Sequence, residues 1–519
     1  MSGGAHIHLL ELLWMVCFWQ VGCVKDNNLW GMSTGHLPSS PNITSKLLWE
    51  AQCQTHLHQL QDGSRIKTTM PPQLDGHWVS SRCEVRPGPE FLTRSYTFYP
   101  SPLRLFKALQ HYYSDSDCHV PAYSLLIQGK VRLRQASWIT RGATEAEHTL
   151  HKVTLVIHNQ RTAHRLAINL PSSCLGLGPG VHIVSHHLYE LFNTKTAKNC
   201  LSALHFSMME LELLRMETQN HPHGLPFKEL FLGDIHTDWN QRVHYRPTGY
   251  QEPLQNSMHH FHPCPVCALV YRSSEQHPPI LPPSWAIPLN LNGYWVSQRC
   301  EARPAVLFLT RQFTFTEKHH SWEGTYNHYS DPKCNQRTFT LVALGHYAHK
   351  TSSAKVRGAT ELVFKVTHAK VTVFERTLLQ VLNSSEKESC GKTGGWELGV
   401  EQDVTWTAGC SVLGILLPHK EYELFKMEKN HKGQPLLFIG ERPTDGSSPD
   451  RPLKRPTSFQ TPMVQCSARA PVPPLYSPQS TVKRPEVNSA HTQQSVFVIS
   501  LMSLLNLCFC YIQVHFVLN

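Results

Sequence analysis

Residues 76–99 read GHWVSSRCEVRPGPEFLTRSYTFY, and residues 293–316 read GYWVSQRCEARPAVLFLTRQFTFT, with fifteen of the twenty-four positions identical. Identity at that level over so many positions means a tandem duplication, so each copy is a domain of the same kind. The second half of each copy alternates. Leu92, Arg94, Tyr96 and Phe98 fall on one side, with Phe91, Thr93, Ser95 and Thr97 on the other. The second copy repeats the pattern as Leu309, Arg311, Phe313 and Phe315 against Phe308, Thr310, Gln312 and Thr314. Period two with aromatics and threonines predicts a β-strand with one mostly apolar face.

Further matches follow in the same order. HYYSDSDC (111–118) pairs with NHYSDPKC (327–334), and RGATE occurs at 141–145 and 357–361. ELLRME (212–217) pairs with ELFKME (423–428), and LFLG (230–233) with LFIG (437–440). Arg246-Pro-Thr248 is matched with Arg442-Pro-Thr444. Each repeat is thus a β-rich domain of about 200 residues, placed at 53–264 and 267–466. A short helix is expected at 45–63, capped by Ser45 and ended by Gly63.

The 519 residues carry a formal charge of +10, dispersed without a long basic run, which argues against a nucleic-acid partner. An apolar run at 9–24 reads as a secretory signal occupying 1–23, followed by an N-terminal segment at 24–52 where the short helix starts. Asn42 and Asn383 head glycosylation triplets. Pro, Ser and Thr dominate the stalk at 467–495. The apolar run at 496–518 has the length of a transmembrane helix, and equally suits the removed tail of a lipid anchor. Either reading places the body at the extracellular face of the cell membrane.

Of sixteen cysteines, Cys17, Cys23, Cys508 and Cys510 lie in the apolar ends, leaving twelve for disulfides. The expected short loops are Cys83–Cys118 and Cys174–Cys200, repeated as Cys300–Cys334 and Cys390–Cys410. Cys53–Cys264 and Cys267–Cys466 would then close repeat one and repeat two. A redox role for Cys264-Pro-Val-Cys267 would need a βαβ setting, and zinc would need a second pair, although His259, His260 and His262 are near.

No nucleophile elbow, phosphate loop or HExxH is present, so no catalytic residue, metal or cofactor is assigned. Asp234, His236 and Asp238 alternate and could share a strand face as metal ligands, but polar turn residues are the expectation. Arg141 with Glu145, and Arg357 with Glu361, flank glycines and are expected to fix turns.

GxWVSxRCExRP…FLTR, HYSDPKC, RGATE, FLGDIHTD and the closing DGSSPDRP resemble the adenomatosis polyposis coli down-regulated family of Wnt-pathway inhibitors, from about Cys53 to Cys466. The resemblance implies an all-β fold of two closely apposed antiparallel β-barrels, each with an apolar pocket for lipid. Pocket candidates are Leu92, Tyr96 and Phe98, and Leu309, Phe313 and Phe315. The resemblance further implies a membrane-tethered glycoprotein that inhibits Wnt signalling upstream of β-catenin, with Wnt proteins and their co-receptor as partners. A homodimer is left open. The alternative is an adhesion ectodomain with filled barrels and protein partners only.

Overall fold

The computed structural model describes residues 66–466 apart from 101, 170–173, 175–183, 221–225, 258–263, 284–286 and 431–432, together with Cys53, Leu57 and His58. The expected signal, Asn42, the stalk and the C-terminal apolar run lie outside the described residues, as does most of the 45–63 helix. Among the described residues no helix is long and apolar enough to cross a membrane.

Each repeat closes eight strands into an antiparallel ring. In repeat one the ring runs Gly76–Val79, Glu90–Phe98, Leu105–Tyr113, Pro121–Ala136, Thr144–Ile157, Leu213–Gln219, Phe227–Leu232, Leu254–Asn256 and back to the first. In repeat two it runs Gly293–Ser297, Leu307–Thr316, Ser321–Tyr329, Arg337–Ser352, Thr360–Val373, His419–Lys429, Pro435–Ile439, Met463–Gln465 and back. The alternation seen in sequence is kept, with Leu92, Tyr96 and Phe98 in the interior core of the first ring.

The shared motif is one network used twice. Trp78 and Trp295 are fully buried, and each indole N–H donates to a backbone carbonyl four residues back, Leu74 at 2.6 Å and Leu291 at 2.8 Å. Ser80 donates to Glu84 at 2.5 Å and accepts from the Arg94 N–H at 2.7 Å. Ser297 does the same with Glu301 and Arg311, both at 2.7 Å. Arg94 pairs with Glu84, and Arg311 with Glu301, each at 2.8 Å. An arginine can therefore sit on the apolar face of the strand, because its charge is paired before it is buried.

The repeats face each other about a pseudo-two-fold axis within one compact unit. Arg82 lies over the Phe438 ring and 3.7 Å from Glu428, while its counterpart Arg299 lies over Phe231 and 3.9 Å from Glu217. The Gly88 N–H donates to Thr457 at 2.8 Å, and the Ala305 N–H to Thr248 at 2.9 Å. Thr237 and Thr444 accept from each other's backbone N–H at 3.0 and 3.1 Å, so these two sit on the axis. Contacts returned in kind are the mark of an isologous interface. They also correct one alignment. Thr248 corresponds to Thr457, so Arg246-Pro-Thr248 matches Arg455-Pro-Thr457 and not Arg442-Pro-Thr444. Glu145–Arg246 at 3.4 Å and Glu361–Arg455 at 3.2 Å agree with that match.

The disulfides follow the same symmetry. Cys83–Cys118, Cys174–Cys200, Cys300–Cys334 and Cys390–Cys410 are bonded within their repeats. The expected Cys53–Cys264 and Cys267–Cys466 bridges are replaced by Cys53–Cys466 and Cys264–Cys267. The reason is an exchange of leading segments. Cys53 and Leu57, ahead of repeat one, pack on Val296, Leu436, Phe438 and Val464 of repeat two. The Pro265–Tyr271 helix, ahead of repeat two, places Cys267 and Val270 on Val79, Phe91 and Tyr113 of repeat one. Each leading segment covers the outer face of the other ring, so its cysteine meets the cysteine that ends that ring.

Non-reducing peptide mapping should therefore recover Cys53 linked to Cys466 and Cys264 linked to Cys267. Chain entropy makes a bridge more stabilising as its loop lengthens. Cys466→Ser should cost on the order of 2–5 kcal/mol, and clearly more than Cys264→Ser. Equal costs in chemical denaturation would count against the exchange.

Candidate functional site: the interior of the second ring

An eight-stranded ring leaves an interior that side chains just fill, or that holds one small ligand. The two repeats take opposite solutions. In repeat one the chain turns inward at Met208 through a 3-10 turn, Met209–Glu212, and buries Met208 and Leu211 in the core. The ring then closes on only two residue pairs, Leu213 with Glu145 and Leu214 with Thr144. In repeat two the corresponding stretch stays extended as the His419–Lys429 strand. It pairs over seven residues, from Thr360 with Phe425 to Val366 with His419. What is a plug in one ring is wall in the other.

The interior layers match this choice. Across consecutive paired strands, repeat one sets Tyr96, Ala108, Ile127 and Val153 side by side. The same layer in repeat two is Phe313, Gly324, Ala343 and Ala369. Smaller side chains and the missing plug leave a cavity of about 1900 Å³, which runs from the ring interior into the cleft between the repeats. The cavity inside repeat one, beside Tyr112 and Leu204, is about 40 Å³.

Aromatic rings form the floor of the large cavity. Phe364 stacks on Phe425 at 5.2 Å, and Phe315 presents its edge to both. Trp322 meets Phe364 edge-on at 5.4 Å, and Phe313 meets Tyr326 at 5.5 Å. Leu309, Phe313 and Phe315 line the cavity. Leu92, Tyr96 and Phe98 do not: they are packed inside a filled core, with the Tyr96 hydroxyl accepting from Gln110 at 3.2 Å. The expectation of a lipid pocket in each barrel is therefore corrected for repeat one, whose plug occupies the space.

One wall of the cavity is polar. Glu421 is paired with Arg442 and lies 3.0 Å from His419, which in turn meets Ser448 at 2.9 Å. Burial alone would raise the Glu421 carboxyl, but Arg442 and His419 hold it well below the usual range, at about 2. The next inward residue, Glu423, is pushed up to about 8 by burial and by the charge of Glu421. Its Oε2 is buried with no hydrogen-bond partner. Glu423 is thus held neutral near pH 7, which keeps a second negative charge off this wall. Sequence reading missed this group. Arg442 stands where repeat one has Ile235, a difference visible once LFLG and LFIG are aligned.

Asp234, His236 and Asp238, weighed from sequence as metal ligands, are engaged in turns, and His259, His260 and His262 lie outside the described residues. Asp234 accepts from the Tyr245 hydroxyl at 2.7 Å and from the N–H groups of Thr248 and Gly249, both at 3.0 Å. His236 accepts from the Asp238 N–H, and Asp238 caps the following 3-10 turn, so the three acceptors serve turns. Asp115, Asp117 and His119 approach one another, yet Asp115 already accepts from the N–H groups of Asp117, His119 and Val120. Asn383 exchanges two hydrogen bonds with the Trp396 backbone, each 3.0 Å.

The neutral Glu423 predicts a pH dependence of stability. The folded chain keeps this proton from about pH 4.5 up to about pH 8, where the unfolded chain has released it. Its stabilising contribution is full below about 4.5 and is lost as pH rises through about 8. Glu423→Gln removes that slope. Its melting temperature should gain on wild type by several degrees between pH 5 and pH 8.5. A difference that stays constant with pH in thermal melts would refute the assignment.

Comparison with known proteins supplies the family. The family model described as adenomatosis polyposis coli down-regulated 1 matches residues 52–282 and 284–473. A solved structure described as Aeromonas veronii immune modulator A aligns with 79% of this chain and 99% of its own, at 8% identity and a TM-score of 0.16, too low to bear on the fold. With the duplicated motif network and the match to both repeats in order, the chain belongs to the adenomatosis polyposis coli down-regulated 1 family of Wnt-signalling regulators.

Proposed function

We propose that the protein is a negative regulator of Wnt signalling, tethered at the extracellular face of the cell membrane and acting upstream of β-catenin. It takes the acyl chain of Wnt into the second ring and so masks the group the receptor needs. The observation that carries this reading is the hollow, aromatic-floored interior of repeat two beside the filled interior of repeat one. About 1900 Å³ exceeds the roughly 300–1,000 Å³ of ordinary ligand pockets. At about 0.8 kcal/mol per buried CH₂, an acyl chain supplies substantial affinity without a large protein interface. The disulfides agree with an extracellular site of action. An adhesion ectodomain with protein partners only is favoured by the filled core of repeat one, and would need the same of repeat two.

The internal repeat supplies its own test. Ala343→Ile with Ala369→Val gives two of the four positions of that layer their repeat-one side chains. The double variant should be secreted and folded, should carry less fatty acid in native mass spectrometry, and should weaken both acylated-Wnt binding and inhibition. Ala108→Gly in repeat one serves as the control and should leave binding within about twofold, since one buried methyl there is remote from the cavity. Absence of lipid from wild type, or undiminished Wnt binding by the double variant, would overturn the proposal.

A further inference from the structure

The run Val404 to Pro418, VTWTAGCSVLGILLP, holds no charged residue and no histidine. It folds as a small hairpin in which Gly409 pairs with Leu416 and Cys410 with Ile415. Its base is fixed, because Val404 and Cys410 are buried beside Trp396 and Cys390–Cys410 ties it to the body. Its outer side is apolar and bare. Trp406 is 61% exposed, Leu416 66% and Val412 39%. Its other side faces the cavity, where Leu413, Ile415 and Leu417 join the lining. Leu416 is both exposed and part of that lining, so the hairpin stands at an opening of the cavity. In repeat one the chain beyond the corresponding Cys200 makes an equivalent 3-10 turn, Ser202–Leu204, and then goes inward at Met208 as the plug.

A soluble surface rarely shows several large apolar groups on one uncharged loop unless something covers them. An exposed tryptophan among aliphatic side chains, with no charge to desolvate, matches the acyl–headgroup boundary of a bilayer. A folded protein partner would instead meet a surface with few side-chain polar groups to fix its register. We propose that the 404–418 hairpin is a membrane-docking portal: it inserts Trp406, Val412 and Leu416 into a lipid surface and passes an acyl chain between that surface and the cavity of repeat two. The transfer role rests on the acyl-binding reading above, whereas the docking role stands by itself.

The test uses the complete secreted ectodomain and a Trp406→Ser, Val412→Ser variant, neither residue lining the cavity, with Trp406→Ser alone as a second, milder variant. Phosphatidylcholine vesicles carrying a fluorescent sixteen-carbon fatty acid are mixed with each protein, and transfer is followed by stopped flow. Transfer from vesicles should slow at least about tenfold in the double variant, since two apolar groups, one of them a tryptophan, leave the lipid contact. Its equilibrium affinity for the same fatty acid delivered from water should stay within about twofold, because the aromatic floor is untouched. Wild type should also co-sediment with the vesicles more than the variant does. Equal transfer rates and equal sedimentation overturn the proposal. Loss of binding to acylated Wnt protein with unchanged vesicle sedimentation also overturns it, and makes the hairpin a protein contact. If wild type takes up no fatty acid from water, the acyl-binding reading fails, and differential sedimentation alone still decides the docking role.

Discussion

An eight-stranded antiparallel ring encloses a space that must be occupied, and most of what distinguishes the two repeats follows from how each meets that demand. Repeat one folds residues 208–212 inward and closes its seam on two residue pairs. Repeat two spends the equivalent residues on the seam and keeps seven pairs there. The choice has electrostatic consequences. In repeat one the plug carries Glu210 inward, where Arg86 lies 3.8 Å away and the Tyr96 hydroxyl is within 3.5 Å. In repeat two Glu421 and Glu423 arrive on a continuous strand, both facing in. Arg442 neutralises the first and burial keeps the second protonated. A hollow ring with two ionised carboxylates on one wall would draw water, and this arrangement prevents that.

The buried Arg94–Glu84 and Arg311–Glu301 pairs explain why the motif surrounding them is duplicated so closely. Net stability is a poor reason for a buried ion pair, since apolar residues of similar volume often do as well. Removing one partner is another matter, because it leaves a charge in a dry wall. Arg94 also donates to the Glu252 carbonyl and Arg311 to the Thr461 carbonyl, next to the last strand of each ring. Each arginine therefore joins the loop that carries the glutamate to the strand that completes the ring. Substituting Glu84 or Arg94 would leave the other's charge without its ion partner in a dry wall, and the pair is kept in both copies.

Much of this was legible in sequence. Period two placed Leu92, Tyr96 and Phe98 and their counterparts on the inner face, and loop length gave the four bridges within repeats. The two remaining bridges were not legible, because closing a repeat on itself assumes that its leading segment packs on its own ring. Cys53 instead follows the apolar surface of Val296, Leu436 and Phe438, a tertiary fact with no local signal. Arg-Pro-Thr occurs twice in repeat two, at 442–444 and 455–457, and the reciprocal contacts of Thr248 and Thr457, with the ion partner Glu361, tell which copy matches Arg246. The hollow was half legible. Phe313, Gly324, Ala343 and Ala369 are all present to be read, but they form a layer only when the register of four strands is known. The uncharged run at 404–418 needed no structure to be noticed. Its meaning came from its place at the opening.

The interface between the repeats is nearly two-fold symmetric and the ring interiors are not, and the same interface accounts for both. Thr237 and Thr444 on the axis, Arg82 against Arg299, and Gly88 with Thr457 against Ala305 with Thr248 are each used in reciprocal pairs. A change to one member alters both its own repeat and the face presented to the other, so drift there is penalised twice. Interior positions carry no such coupling. Ile127 can become Ala343 and Val153 can become Ala369 with no effect on the partner ring. The departure even begins beside the axis: Arg442, two residues from Thr444, turns into the cavity where repeat one has Ile235. A duplicated ring thus keeps one copy as a filled, rigid support and leaves the other free to open, with the interface fixing how the two are held.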